Sequence, residues 1–247
     1  MVKTHESPAD RRKRAGKILA VFRRTYGPVT SALHHESALH LLIATILSAQ
    51  STDENVNKVT PALFRKYRSV EGFAAANLNT LEQEIHATGF FRQKAKALRG
   101  SCRLIVERHG SEVPDTMEEL VQLPGVARKT ANVVLGTWFG RNEGVVVDTH
   151  VGRLAERMAL TWRSKTSKDA VKIETDLMEL VPRKDWTYLG HAMIRHGRMV
   201  CNARRPKCAE CVVAKHCPSA GTFDDDSADG AGAGSRRRST GRAGRSR

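Results

Sequence analysis

Apolar residues recur at three- and four-residue spacing along nearly the whole chain, and glycine, proline and capping residues cut that pattern into short pieces. A chain written this way has no alternating segments from which to build a sheet core. It must instead bury one stripe of each of many short helices against the others, which makes the expected fold all-α. Only the apolar run Val145-Val146-Val147 departs from the pattern.

The spacing predicts a helix over about Asp10–Tyr26 that stops at Gly27-Pro28, and another over about Ser37–Ser48 with Leu39, Leu42, Ile43, Ile46 and Leu47 on one face. Ser51 with Glu54 three residues on reads as a capping box for a helix that runs past Pro61 to about Tyr67. Short helices are expected near Val70–Ala75 and Thr80–Ala87, and a longer one over Gln93–His109, closed by Gly110. Thr116 and Glu119 cap the helix ahead of Leu123, and further helices are expected over Arg128–Trp138, Thr149–Met158, Lys168–Leu180 and Trp186–Val200. Past Pro218 the chain is Gly, Ser, Asp and Arg with almost nothing apolar, so residues 219–247 are expected to be a disordered tail. No internal repeat is evident.

At 247 residues and 40% hydrophobic content the chain can build one large or two modest cores. No window reaches the apolar length needed to span a bilayer. The N-terminus carries charges but no apolar stretch before a cleavage site, so it does not read as a secretory signal. The expectation is an intracellular protein. Its formal net charge is +15; removing the +3 of residues 1–14 and the +2 of residues 221–247 leaves +10 on the body. Basicity spread over the body points to a polyanionic partner, with binding that weakens steeply as salt rises.

Four of the five cysteines form the series Cys201-x6-Cys208-x2-Cys211-x5-Cys217, whereas Cys102 stands alone on an apolar helical face and reads as a small core residue. In a reducing compartment four thiols so close together point to a metal rather than to two disulfides. Structural zinc favours paired Cys-x2-Cys knuckles, of which this loop has one, and common ferredoxin spacings do not match either. Spacing alone leaves zinc and an iron–sulfur cluster both open.

The densest concentration of chemistry lies between Leu123 and Asp148, where LPGVARKT is followed by an apolar helical run and then VVVDTH. The turn Pro124-Gly125-Val126-Ala127 can direct successive N–H groups at an anion, and the helix beginning near Arg128 adds the positive end of its dipole. A nucleic-acid phosphate is the natural ligand. Lys129 falls in the first turn, where the dipole disfavours an ammonium, so its amine should give up a proton more readily than a solvated lysine and can serve as a nucleophile. The plainer role for Lys129 is a phosphate contact, and for Asp148 an N-cap on the next helix.

Helix, LPGVARKT hairpin, helix, VDTH and the terminal cysteine series, in that order, together with ILSAQSTD at Ile46–Asp53, ATGFFRQKA at Ala87–Ala95 and CNARRPKCAECVVAKHCPSA at Cys201–Ala220, resemble endonuclease III of the helix-hairpin-helix DNA glycosylase superfamily. The resemblance covers roughly residues 15–218. It implies a six-helix barrel domain at 31–141 and an iron–sulfur cluster domain made of residues 142–218 joined by the N-terminal segment 1–30, with the DNA cleft between them. The four cysteines would then carry a [4Fe–4S] cluster.

The same resemblance implies removal of oxidised pyrimidines from duplex DNA, followed by strand cleavage at the resulting abasic site, with Lys129 as nucleophile and Asp148 as catalytic carboxylate. The family's usual glycine is replaced by Ala127, which matters only if that residue needs a positive φ. An enzyme acting on a stacked base must first extrude its nucleotide. Gln50 is similar to the residue that fills the vacated space. Phe90 or Phe91 would wedge between bases while the other anchors the loop, although two core aromatics are the plainer reading. Leu123, Gly125, Ala127 and Arg128 are the hairpin's candidate DNA contacts, and His150 would line the same pocket or serve as a cap.

His191 and His196, five apart on one helix, read as structural or phosphate-facing. Arg204, Arg205 and Lys207 lie between Cys201 and Cys208, where a stiffened loop could present them to the DNA backbone. The expected partner is double-stranded DNA with oxidised pyrimidines or abasic sites, met by a monomer in the cytoplasm beside a bacterial-type nucleoid. Two alternatives stand beside this. One is a non-catalytic, metal-stabilised DNA-binding module, against which both Lys129 and Asp148 speak. The other is an adenine-type monofunctional glycosylase, a branch that lacks the lysine and adds a C-terminal domain.

Overall fold

A computed structural model of the chain describes residues 6–223, and within them every regular element is helical. Helix α1 (Pro8–Tyr26) starts on the Ser7 side chain, which accepts from Asp10 N, and ends where Gly27 takes a positive φ of 58°. There follow α2 (Ala38–Leu47), α3 (Asp53–Lys66), α4 (Val70–Ala74), α5 (Leu78–Glu84), α6 (Phe91–Arg108), α7 (Met117–Leu120) and α8 (Arg128–Thr137). After an extended link come α9 (Thr149–Arg157), α10 (Ala170–Leu180) and α11 (Trp186–Met199), then the cysteine loop with two single 3-10 turns.

Most starts and stops fall where the capping residues place them. Helices α1 and α5 start two residues early, on Ser7 and Asn77, and at α3 the cap itself differs: it is Thr52, whose side chain accepts from Asn55 N at 3.2 Å, and not Ser51. The whole start moves one residue on, and Ser51 Oγ instead accepts from Asn55 Nδ2. Either hydroxyl could cap; Thr52 has the extended backbone that an N-cap needs.

The buried residues form two cores. One is built from α2 through α8, centred on Leu41, Leu42, Leu47, Phe73, Leu98 and Ile105. The other joins α1 (Ala15, Ile18, Phe22) to α9, α10 and α11. The link Val145-Val146-Val147 explains the one non-helical apolar run. Extended backbone sends successive side chains to opposite sides, so Val145 and Val147 enter the second core while Val146 enters the first. It is a stitch between cores, not part of a sheet. The α11 backbone comes close to this link: a Cβ at Gly190 would lie 3.3 Å from Val146 N.

The expected disordered tail lies outside the described residues from 224 onward, but its first five residues do not behave as expected. Ser219 is buried, and Phe223 lies over the Arg157 guanidinium at 4.2 Å. The apolar ring of Phe223 and the short side chains before it find a surface on the cysteine loop, which composition alone did not reveal. Among the described residues no helix is long and apolar enough to cross a membrane.

Candidate active site and nucleic-acid interface

The chain from Leu120 to Arg128 folds as a tight hairpin between α7 and α8 and packs against α6. Ser101 Oγ donates to Pro124 O at 2.7 Å, and Val126 N donates to Leu123 O at 3.0 Å. Gly125 has φ +77°, and a Cβ there would sit 2.8 Å from Ala97 Cβ, so conformation and space both demand glycine. Ala127 has φ −93°, an ordinary extended value, which is why alanine suffices there. No side chain caps α8. Its first N–H groups, which have no acceptor within the helix, are left for an outside ligand.

Lys129 in the first turn of α8 and Asp148 at the start of α9 line the same cavity, of about 430 Å³. Asp148 Oδ1 accepts from the N–H groups of His150 and Val151, both at 2.8 Å, so the carboxylate is indeed the N-cap of α9. Cap and cavity residue are therefore one side chain. Across the mouth Arg198 Nη2 meets Asp53 Oδ2 at 2.8 Å, an ion pair between α11 and the start of α3. Both of its residues also line the cavity. His191 is buried on the same wall, paired at 3.0 Å with Thr137 Oγ1, and burial lowers its pKa to about 4. Burial thus favours its neutral form.

Several expected DNA contacts take other positions. Leu123 is 2% exposed, its side chain belonging to the first core, so it supports the hairpin from below. Arg128 turns away from the turn and pairs with Glu174 of α10 at 3.2 Å, also reaching Glu143 O. A neighbouring carboxylate has captured the guanidinium. His150 is absent from the cavity wall; its Nδ1 accepts from Arg153 at 3.0 Å, and burial, ahead of other causes, lowers its pKa.

The two phenylalanines divide. Phe90 adopts the left-handed region at φ 48° and is 59% exposed, whereas Phe91 turns inward to pack on His86 and the first core. Phe91 therefore takes the anchoring position, and the exposure of Phe90 rules out two core aromatics. Gln50, at φ 53°, projects from the loop between α2 and α3 and is exposed.

All four loop cysteines line one small cavity with Arg157, His196 and Phe223. Among the described residues no three His, Cys, Asp or Glu side chains converge closely enough to hold a single metal ion. Two nitrogens lie against the sulfurs: Arg157 Nη1 donates to Cys201 Sγ at 3.2 Å, and His196 Nε2 pairs with Cys211 Sγ at 3.4 Å. Arg157 also donates to the carbonyls of Asn202 and Ala203, both at 2.7 Å, and so fixes the start of the loop. His196 Nδ1 pairs with Tyr26 Oη at 2.6 Å. Arg204, Arg205 and Lys207 project from this loop into solvent. Cys102 is fully buried in the first core, and burial pushes its thiol up to about 12.

Sequence reasoning missed Arg198, Arg157 and the role of His196, because their partners are far away along the chain and no local spacing marks them. Asp53 stood inside ILSAQSTD but carried no sign of its partner.

A family model described as the HhH-GPD superfamily of base excision DNA repair proteins matches residues 43–183. Endonuclease III of Synechocystis sp. is 51% identical over 86% of this chain and 95% of its own. Two solved structures, a non-covalent endonuclease III–DNA complex and a trapped endonuclease III–DNA covalent intermediate, each superpose with a TM-score of 0.79 at 36% identity. Each match covers 85% of this chain and 97% of theirs. The chain therefore belongs to the HhH-GPD superfamily of base excision DNA repair proteins and, within it, to the endonuclease III family. It is a DNA glycosylase with AP lyase activity acting in base excision repair.

Proposed function

We propose that Lys129 is the nucleophile and Asp148 the catalytic carboxylate of a bifunctional reaction on oxidised pyrimidines in duplex DNA. The observation that carries this is their meeting on one cavity, at the mouth of an uncapped helix dipole. A trapped covalent DNA intermediate of a 36% identical relative lends support. With the nucleotide extruded, the Lys129 amine bonds to C1′ as the glycosidic bond breaks, the base leaving with the electron pair and taking a proton from water. Asp148 stabilises the positive charge that develops on the sugar and takes the proton shed by the amine. The sugar ring opens to an imine, which acidifies the C2′ hydrogen. Loss of that proton expels the 3′ phosphate by β-elimination, and hydrolysis of the imine frees the lysine.

Gly125, Ala127 and the first N–H groups of α8 hold a backbone phosphate, while Gln50 and Phe90 enter the duplex at the lesion. Cys201, Cys208, Cys211 and Cys217 hold a [4Fe–4S] cluster. Support comes from the four thiols of one short loop that line one cavity. The group supplies rigidity, so that Arg204, Arg205 and Lys207 meet the phosphates. The same reading divides the chain into a barrel unit at 31–141 and a cluster unit at 142–218 joined by the first 30 residues. The two separate cores support that division. It also sets the protein to work as a monomer in the cytoplasm.

The test is borohydride trapping on a duplex containing thymine glycol. Wild type should form a covalent adduct and Lys129→Gln none; an adduct that survives the substitution removes Lys129 from this role.

A further inference from the structure

Lys94 is 5% exposed, one turn into α6, and no carboxylate partners it among the described residues. Its Nζ instead donates to two carbonyls, Leu47 O and Thr88 O, each at 2.7 Å. Leu47 is the last residue of α2, so the ammonium sits against the negative end of that helix dipole, which offsets part of the cost of burying it. Burial lowers its pKa. Three residues after Leu47 comes Gln50, and two after Thr88 comes Phe90, each in the left-handed region. Backbone N–H of Lys94 also donates to Phe90 O, at 3.2 Å.

A second bond crosses the same gap. Asn55 Nδ2 donates both to Ala87 O and to Ser51 Oγ, joining the residue after Gln50 to the loop before Phe90. Neither contact touches the cavity that holds Lys129 and Asp148. What these side chains fix is the separation of two loops that come from opposite ends of different helices.

We infer that Lys94 is a positioning residue that sets the distance between Gln50 and Phe90, so that the two enter a duplex together and base extrusion, rather than bond breaking, depends on it. The inference rests on the reading of Gln50 and Phe90 as the residues that enter the duplex. A buried ammonium suits this task because it can bind two carbonyls at once from between them, which a shorter neutral donor cannot reach.

Single-turnover rates separate extrusion from chemistry. One substrate is thymine glycol paired with adenine in a duplex; the other is an abasic site in an unpaired bubble, where nothing has to be extruded. Lys94→Met should lower the first rate tenfold or more and the second less than threefold. A 2-aminopurine placed opposite the lesion should show a smaller fluorescence rise on binding. Equal loss on both substrates, or no loss on the duplex, overturns the inference. If circular dichroism shows that Lys94→Met fails to fold, Asn55→Ala carries the same test: it should slow the duplex reaction selectively, and an equal effect on both substrates is again fatal. A wild-type protein inactive on both substrates would instead sink the proposed reaction and leave Lys94 out of the question.

Discussion

Asp148 uses Oδ1 to accept two backbone N–H groups of α9, and no donor among the described residues takes Oδ2. The two roles can be separated because asparagine caps a helix about as well as aspartate but brings no charge. Asp148→Asn should change stability by less than about 0.5 kcal/mol while slowing base excision on the order of 100-fold. Asp148→Ala should lose the cap as well, about 1 kcal/mol. Urea melts beside single-turnover rates check both; an asparagine variant of full activity would reduce Asp148 to a cap. Lys129 and Asp148 were singled out in the sequence by their local chemistry, and the fold brings both to one cavity. The pairing of Arg128 was not legible, because Glu174 and its claim on the guanidinium lie 46 residues away. Lys94 gave no sign either, since an isolated lysine in a helical pattern reads as a solvated face until its burial is seen.

Hairpin geometry settles the element scale. The turn is held by Gly125 at φ +77° against Ala97, whereas Ala127 occupies an unstrained position. Gly125→Ala should therefore destabilise the protein by more than about 1 kcal/mol and weaken DNA binding, while Ala127→Gly should cost only a few tenths. Thermal melts and binding isotherms decide this, and a harmless Gly125→Ala would mean that the turn tolerates another path. Helix positions were readable from periodicity and caps to within a few residues. The α3 start was placed one residue early because Ser51 and Thr52 are equally good cap chemistry and only the backbone chooses. The valine link was visible as an exception to the helical pattern, but its alternation between two cores is a property of where those cores lie. Phe90 and Phe91 are indistinguishable in sequence; the left-handed turn at Phe90 is what sends one out and the other in.

At the scale of the whole molecule the proposed function asks a basic body, a hairpin and a cysteine loop to meet one polyanion. If Arg204, Arg205 and Lys207 each touch a phosphate, replacing all three by glutamine should flatten the slope of log K against log salt by about 3. An unchanged slope would free the loop from the DNA. Family and all-helical architecture could be read from ordered motifs, as could the gathering of the four loop cysteines at one place. The junction between cores could not, since Arg198–Asp53 and Arg128–Glu174 join residues that no local pattern relates. In the proposed reaction one lysine amine, lining one cavity with one carboxylate, bonds to the damaged sugar. Peptide mapping of the borohydride-reduced adduct by mass spectrometry tests it most directly. The deoxyribose remnant should reside on Lys129, and its recovery on the N-terminal amine or on another lysine would contradict the account.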